Sequence, residues 1–164
     1  MTCLDVTAGN RMIWGDCKNP PGVIFLDKEH GFRIEPNIIA DNTRLPLRLD
    51  LRVDSIIFDP PWGVNMPPWW MDKDRAGGTR GNYFGSYKSK REIIAYIDRA
   101  QKEFKRYTHR LCFKWGERDI SLWKILPLFT RSGWREIHRV EIRRKHNKSG
   151  KSTNRNWWVT FERV

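Results

Sequence analysis

Short apolar runs, each followed by an aspartate, recur through the first third of the chain. The runs cover residues 3–4, 23–26, 37–40 and 53–58, and the acids that follow them are Asp5, Asp27, Asp41 and Asp59. Continuous apolar runs of this length, closed by turn residues, are typical of buried parallel strands. Because the carboxyl ends of parallel strands meet at one edge of a sheet, we expect the four aspartates to line the edge where open α/β sheets bind ligands.

The second half of the chain shows helical and then strand periodicity. Ser89 and Glu92 have the spacing of a capping box, and the apolar residues that follow predict a helix over about 90–106. A fifth strand is predicted over 109–115, and a second helix over 119–131, broken or kinked at Pro127. Residues 134–145 alternate as a half-exposed strand does, and 156–164 predict a closing strand.

These elements predict a single α/β domain over residues 1–164. We expect a mostly parallel seven-stranded sheet with a C-terminal antiparallel hairpin at its edge. The connections between the first strands are short for full helices, so the N-terminal crossovers should be abbreviated. Residues 63–90 mix aromatic, basic and glycine residues over a long irregular stretch, which we interpret as a flexible substrate loop.

The charge distribution favours a polyanionic partner. The formal net charge is +12, and residues 131–155 contain nine basic and only two acidic residues. Basic side chains interleaved with aromatic ones suit phosphate contacts and base stacking, so a nucleic acid is the expected partner. Within this segment, the loop and the closing strand, the candidate substrate-binding residues are Trp69, Arg80, Lys148, Lys151, Arg155 and Trp157.

Other features of the sequence argue against several classes of protein. No apolar run approaches the length of a membrane span, and the N-terminus has no signal-peptide pattern, so we expect a cytoplasmic protein without a membrane segment. Cys3, Cys17 and Cys112 are odd in number and widely spaced, which favours reduced thiols over disulfides or a metal site. The four histidines are scattered, and no metal is expected.

The strand ends carry motifs that resemble a known family. Asp59-Pro60-Pro61-Trp62 matches the D-P-P-W motif of amino-group methyltransferases, in particular those acting on adenine N6. Further matches are Gly9-Asn10-Arg11-Met12-Ile13-Trp14 after Asp5, Asp27 after strand two, Leu45-Pro46 after Asp41, Phe113-Lys114-Trp115, and Lys148-Ser149-Gly150-Lys151 before Trp157, Trp158 and Phe161. Nearly end to end, the chain resembles small phage and prokaryotic members of the class I S-adenosylmethionine (SAM)-dependent methyltransferases. The resemblance implies their Rossmann-like fold.

The resemblance also implies SAM as cofactor. Asp5 would hold its ammonium group, the backbone of Ala8, Gly9 and Asn10 would approach its methionine part, and Asp27 would bind its ribose hydroxyls. Asp41 would accept a hydrogen bond from the adenine amine, with a backbone donor from Asn42. The usual G-x-G turn of the family is reduced here to Ala8-Gly9-Asn10.

The D-P-P-W motif implies methylation of an exocyclic amine. Asp59 and the Pro60 carbonyl would each accept one N–H, so that the nitrogen lone pair points at the methyl group, and Pro61 completes the rigid turn. Trp62 would stack on a flipped or single-stranded base. No covalent intermediate is needed.

Two functions remain open from the sequence. The first is an adenine-N6 methyltransferase acting on DNA, with RNA as the main alternative. The second is a degenerate methyltransferase fold that serves as a nucleic-acid-binding partner subunit, which the shortened turn favours and the intact D-P-P-W motif opposes. The sequence does not decide whether the chain works alone, as an oligomer or with a partner.

Overall fold

Seven strands form one sheet in the order β3-β2-β1-β4-β5-β7-β6. The computed structural model describes residues 1–9, 11–29, 34–48, 50–61, 63–65, 87–142 and 155–164. The parallel strands are β1 (Cys3–Asp5), β2 (Val23–Asp27), β3 (Ile38–Ile39), β4 (Ser55–Phe58) and β5 (Arg110–Gly116). Strand β7 (Asn156–Arg163) lies antiparallel between β5 and β6 (Trp134–Ile142). The predicted parallel sheet with a C-terminal antiparallel hairpin is confirmed.

The short crossovers at the N-terminus are also confirmed. In the described part of the chain, only a 3-10 turn (Met12–Trp14) lies between β1 and β2, and no helix separates β2, β3 and β4. The two α-helices come later and contact each other. They pack against the sheet side chains Phe58, Phe113 and Phe161, all fully buried. One helical layer therefore carries the main core.

Helix α1 (Lys90–Phe104) begins with a modified capping box. The Glu92 amide donates to Ser89 Oγ at 3.3 Å, as predicted, but the Glu92 carboxylate accepts from the Lys88 amide at 2.8 Å rather than from that of Ser89. The first bond satisfies an amide that the first helical turn leaves without a partner, and the second fixes the residue that precedes the N-cap. The buried side of α1 carries Ile93, Ile97, Ala100, Gln101 and Phe104, which is the predicted stripe.

Helix α2 spans Leu122–Arg131, so the predicted start at residue 119 is wrong. The preceding segment is fixed differently: the Glu117 carboxylate accepts from the Leu122 amide at 2.7 Å, and the Ile120 carbonyl accepts from the Trp115 indole at 2.9 Å. The helix continues through Pro127 instead of ending there. The proline removes one hydrogen bond, to the carbonyl of Trp123, on a side of the helix that solvent reaches because Trp123 is exposed.

Gln101 links both helices to the edge of the sheet. This fully buried side chain donates to Ser132 Oγ at 2.7 Å and accepts from the Trp134 indole N–H at 2.9 Å. Ser132 follows α2, and Trp134 begins β6. The amide therefore satisfies two polar groups at a position that is otherwise apolar.

We expect Gln101→Met to lower the free energy of unfolding by about 1–3 kcal/mol, because it leaves the buried indole and hydroxyl without their partner. Urea denaturation measures this change. Lys102→Met is the matched control, since it removes only the partly exposed Lys102–Asp98 ion pair and should cost less than about 1 kcal/mol. Equal losses in the two variants would contradict the structural role of Gln101.

Candidate active site

The strand order arranges the four aspartates as a row. Across the sheet they follow β3, β2, β1 and β4, so their spatial order is Asp41, Asp27, Asp5 and Asp59. Asp5 and Asp27 end their strands, Asp59 directly follows β4, and Asp41 lies two residues beyond β3. The row differs from the order along the chain because β1 lies between β2 and β4.

Asp5 is fully buried in the middle of this row. One carboxylate oxygen accepts from the Thr7 amide at 3.1 Å and the other from the Trp14 indole N–H at 2.8 Å. The pKa of Asp5 is raised to about 7, mainly by burial and to a smaller extent by the nearby carboxylates of Asp59 and Asp27, against the lowering effect of the two donors. The carboxyl is therefore poised to ionise when a cation approaches.

Asp27 closes the turn that follows β1. Its carboxylate accepts from the Gly9 amide at 2.9 Å and from the Glu29 amide at 3.1 Å, and burial raises its pKa. Gly9 has a φ of +47°, in the left-handed region that favours glycine, and a Cβ there would meet no atom within 4 Å. Ala8 is buried, and its amide donates to Leu26 at 3.1 Å. The turn thus holds Gly9 beside open space.

Arg11 supports this turn from the short crossover that follows β1. The guanidinium lies 3.8 Å from the centre of the Phe25 ring and donates to the carbonyls of Lys18 and Glu35 and to the side chain of Asn19. Arg11 is only 4% exposed. Because it joins three loop segments to β2, the R-M-x-W part of the opening motif has a structural role in the shortened crossover.

Asn42 and Tyr96 brace the ends of β1 and β3. The Asn42 side-chain amide donates to the Val6 carbonyl and to the Tyr96 hydroxyl, each at 2.8 Å, while its Oδ1 is buried and has no partner among the described residues. Asp41 is exposed and accepts from the amide and hydroxyl of Thr43, each at 2.8 Å. A cavity of about 370 Å³ lies here, lined by residues that include Lys28, Asp41, Tyr87, Tyr96 and Arg99.

Asp59 is connected to both neighbouring strands. Its amide donates to Thr7 Oγ1 at 2.7 Å, just beyond β1, and its carboxylate forms an ion pair of 2.5 Å with Lys114 Nζ on β5. The Asp59 and Lys114 side chains are 18% and 22% exposed, so a substrate can still reach them. Pro60 is buried and Pro61 is half-buried, which fixes the chain immediately after the acid.

Lys114 is a site residue that reasoning from the sequence did not single out. It belongs to the matched Phe113-Lys114-Trp115 motif, but only the register shows its contact, because Phe58 pairs with Phe113 and the next residues are Asp59 and Lys114. Trp158 pairs with Lys114 across the β5–β7 ladder and lies on the same face. The predicted substrate residue Trp157 instead pairs with buried Trp115 and packs against the core, half-buried, on the other face.

The remaining predicted site residues are not brought together by the described parts of the chain. Asn10, Trp62, Trp69, Arg80, Lys148 and Lys151 lie outside the described residues, as does most of the predicted loop 63–90. Arg155 is exposed, with its side chain 4.0 Å from Glu141. The described residues contain no cluster of metal ligands, and none of their helices is long and apolar enough to cross a membrane.

Comparisons with known proteins identify the fold. No family model and no curated protein matches the sequence. Solved structures do match: a SAM-dependent methyltransferase from Leishmania major has a TM-score of 0.60 at 14% identity, and the hMettl16 catalytic domain in complex with an RNA 3′UTR hairpin has 0.62 at 12% identity. Magnesium protoporphyrin IX methyltransferase from Synechocystis, with bound SAM, has 0.53 at 10% identity. The fold is that of the class I SAM-dependent methyltransferases.

These relatives are larger than this chain. The alignments cover 98% of this chain but only 64% of the Leishmania enzyme and 63% of the hMettl16 domain. The alignment with the Synechocystis enzyme covers 99% of this chain and 70% of that enzyme. At identities this low, the likeness shows the fold alone.

The raised pKa of Asp5 predicts a measurable pH dependence of stability. Since the folded-state pKa lies above the ordinary value of 3.8, the fold favours the protonated carboxyl. The contribution of Asp5 to stability is therefore fully present below about pH 4 and is lost as the pH rises through about 7. We expect Asp5→Asn to remove this slope, so that the variant gains stability relative to the wild type between pH 4 and 7, as measured by urea denaturation across that range.

Asp50→Asn, at an exposed position, is the control for the loss of one carboxylate. Parallel stability curves for the wild type and Asp5→Asn over this pH range would contradict the burial of an ionisable Asp5.

Proposed function

We propose that this protein transfers a methyl group from SAM to the exocyclic amine of a nucleobase, with adenine N6 in DNA as the target. The observation that carries the proposal is the hydrogen bond between Thr7 Oγ1 and the Asp59 amide. Thr7 belongs to the turn beside Asp5, and Asp59 opens the D-P-P-W motif. This bond links the turn suited to the cofactor with the motif suited to an amine, in the fold of methyltransferases.

The residues along the row of aspartates fit the successive parts of the SAM molecule. Buried Asp5 would accept the ammonium group, and the open space at Gly9 would admit the methionine chain. Asp27 would accept from the ribose hydroxyls, as the acid after strand two does in dinucleotide folds. The cavity lined by Asp41 and Tyr96 would take the adenine ring. Ala8, Asn10 and Asn42 are proposed to contribute backbone contacts.

The chemistry of the substrate side follows from Asp59 and the prolines. SAM supplies an activated methyl group, and transfer breaks its carbon–sulfur bond. The amine of adenine is a poor nucleophile because its lone pair is delocalised into the ring. Asp59 and the Pro60 carbonyl would accept its two N–H bonds and favour a tetrahedral nitrogen, which directs the lone pair at the methyl carbon. Trp62 would stack on the base.

The basic character of the chain supports a nucleic acid as substrate. The net charge is +12, and the exposed Arg155, the last residue of the basic stretch 131–155, immediately precedes β7. Positive charge of this kind binds phosphate backbones without sequence preference. We assign the substrate contacts of Trp69, Arg80, Lys148 and Lys151 to the same interface.

RNA is the second candidate substrate, and one observation favours it. The hMettl16 catalytic domain, with a TM-score of 0.62, is in complex with an RNA hairpin. That domain and this chain have the same fold, which supports RNA as the alternative substrate of the proposed enzyme.

Calorimetric titration with SAM tests the cofactor site. We expect binding at submillimolar SAM that strengthens about ten-fold or more between pH 5.5 and 7.5, because only the ionised form of Asp5, whose pKa is about 7, attracts the ammonium. The raised pKa of Asp27 acts in the same direction. Asp5→Asn should bind more weakly and lose most of this pH dependence. Absence of binding at millimolar SAM would refute the enzyme and leave the binding-subunit alternative.

Methyl transfer from tritiated SAM to DNA, ribosomal RNA and transfer RNA tests the substrate. We expect adenine-N6 labelling of DNA, reduced by about 100-fold or more in Asp59→Ala, because the variant loses an acceptor that acts at the reacting nitrogen. SAM binding should be retained. Asp50→Ala is the matched surface control.

Each result of this assay has a distinct meaning. Labelling of RNA alone selects the second candidate. Labelling of DNA that is equal in Asp59→Ala and the wild type would refute the role assigned to Asp59, and labelling at a carbon or a ring nitrogen would refute the exocyclic amine.

A further inference from the structure

Lys114 forms an ion pair with the Asp59 carboxylate. Strands β4 and β5 are parallel, and their register sets Asp59 beside Lys114 on one face of the sheet. The ion pair of 2.5 Å is largely shielded from solvent, with side-chain exposures of 18% for Asp59 and 22% for Lys114. An ion pair in such surroundings is less screened than one on the surface.

An acidic neighbour opposes the negative charge of Asp59. Among the described residues, the charged groups near Asp59 include Lys114 from β5 and Asp5 from β1, whose carboxylate interacts electrostatically with that of Asp59. Neighbouring carboxylates raise each other's affinity for protons, as the raised pKa of Asp5 illustrates. The adjacent cation of Lys114 has the opposite effect and favours the ionised carboxylate of Asp59.

We propose that Lys114 is a positioning residue that keeps Asp59 ionised and correctly oriented, so that Asp59 accepts a hydrogen bond from the substrate amine without taking its proton. The role rests on the proposed function, because it concerns the step at Asp59. The register between β4 and β5 supports this role, because one more residue along each strand beyond the Phe58–Phe113 pair places Asp59 beside Lys114. The amide of Asp59 is held separately by Thr7, so Lys114 acts on the carboxylate alone.

The proposal defines where each group goes during transfer. The lone pair of the amine nitrogen forms the new nitrogen–carbon bond, the carbon–sulfur bond breaks, and its electron pair stays on sulfur as a neutral thioether. The methylated nitrogen then carries one proton too many, and this proton leaves to water. Because the ion pair makes Asp59 a weak base, Asp59 holds the N–H throughout and remains a carboxylate.

The titration of the Asp59 carboxyl tests this role without any substrate. Carbon-13 NMR of aspartate-labelled protein, with the Asp59 signal assigned from Asp59→Asn, gives its pKa directly. We expect the pKa to rise by about one to three units in Lys114→Met and Lys114→Gln, the range typical for loss of an adjacent opposite charge. Lys114→Arg should stay close to the wild type. Lys102→Met, which breaks an ion pair elsewhere, is the matched control.

The pH profile of methyl transfer gives the second readout. In Lys114→Met the acidic limb of the pH profile of kcat should shift to higher pH by the same amount as the titration of the Asp59 carboxyl. SAM binding should be retained. Replacement of a residue needed only for folding would not move this limb. The nitrogen–proton correlation spectrum of each variant verifies that it is folded, and Lys114→Gln replaces Lys114→Met if the latter is not.

The outcomes separate this inference from the proposed function. If Asp59 titrates at the same pH in the wild type and in a folded Lys114→Met or Lys114→Gln, the positioning role is overturned, even if the protein is a methyltransferase. If the carboxyl titration shifts as expected but the wild type neither binds SAM nor methylates nucleic acid, the ion pair stands and the proposed function fails.

Discussion

The position of β1 between β2 and β4 determines how the two halves of the site meet. Strand β1 ends at Asp5, a carboxyl with no exposed surface, and the turn beyond it donates to Asp27 on one side and accepts from the Asp59 amide on the other. The contacts proposed for the ammonium group, the ribose and the substrate amine are therefore all connected to the end of one three-residue strand. Its backbone is hydrogen-bonded on both sides, which makes it a rigid support for groups that must be placed accurately.

A single buried arginine ties the short first crossover to the sheet. In the described part of the chain, this crossover contains only a 3-10 turn. Arg11 binds two loop carbonyls and the Phe25 ring, so one side chain connects the crossover to β2. Trp14, from the same turn, both covers Phe25 edge-on and donates to Asp5. The shortened crossover and the cofactor turn are thus one structural unit.

The sequence predicted the row of acids because each lies at the end of an apolar run, and this pattern is local. It could not predict the partner of Asp59, because the register between β4 and β5 depends on strands separated by more than fifty residues. The same limit applies to Trp157 and Trp158. A shift of one residue in the register would exchange the faces of β7 on which they lie, and only the pairing of β7 with β5 fixes that register. The start of α2 was missed because the Glu117 carboxylate caps the Leu122 amide from outside the helical pattern.

The place of β7 in the sheet has a consequence for how the chain folds. Strand β7 is later in the chain than both of its neighbours, and among the described residues β6 has no other strand beside it. During synthesis β6 therefore emerges without a partner, and the edge of β5 stays open until β7 arrives and enters between them. Such non-local pairing slows folding and leaves strand edges exposed to other chains. Completion of the sheet is consequently a late step that follows translation of β7, and a chaperone that shields β5 and β6 would have its effect in that interval.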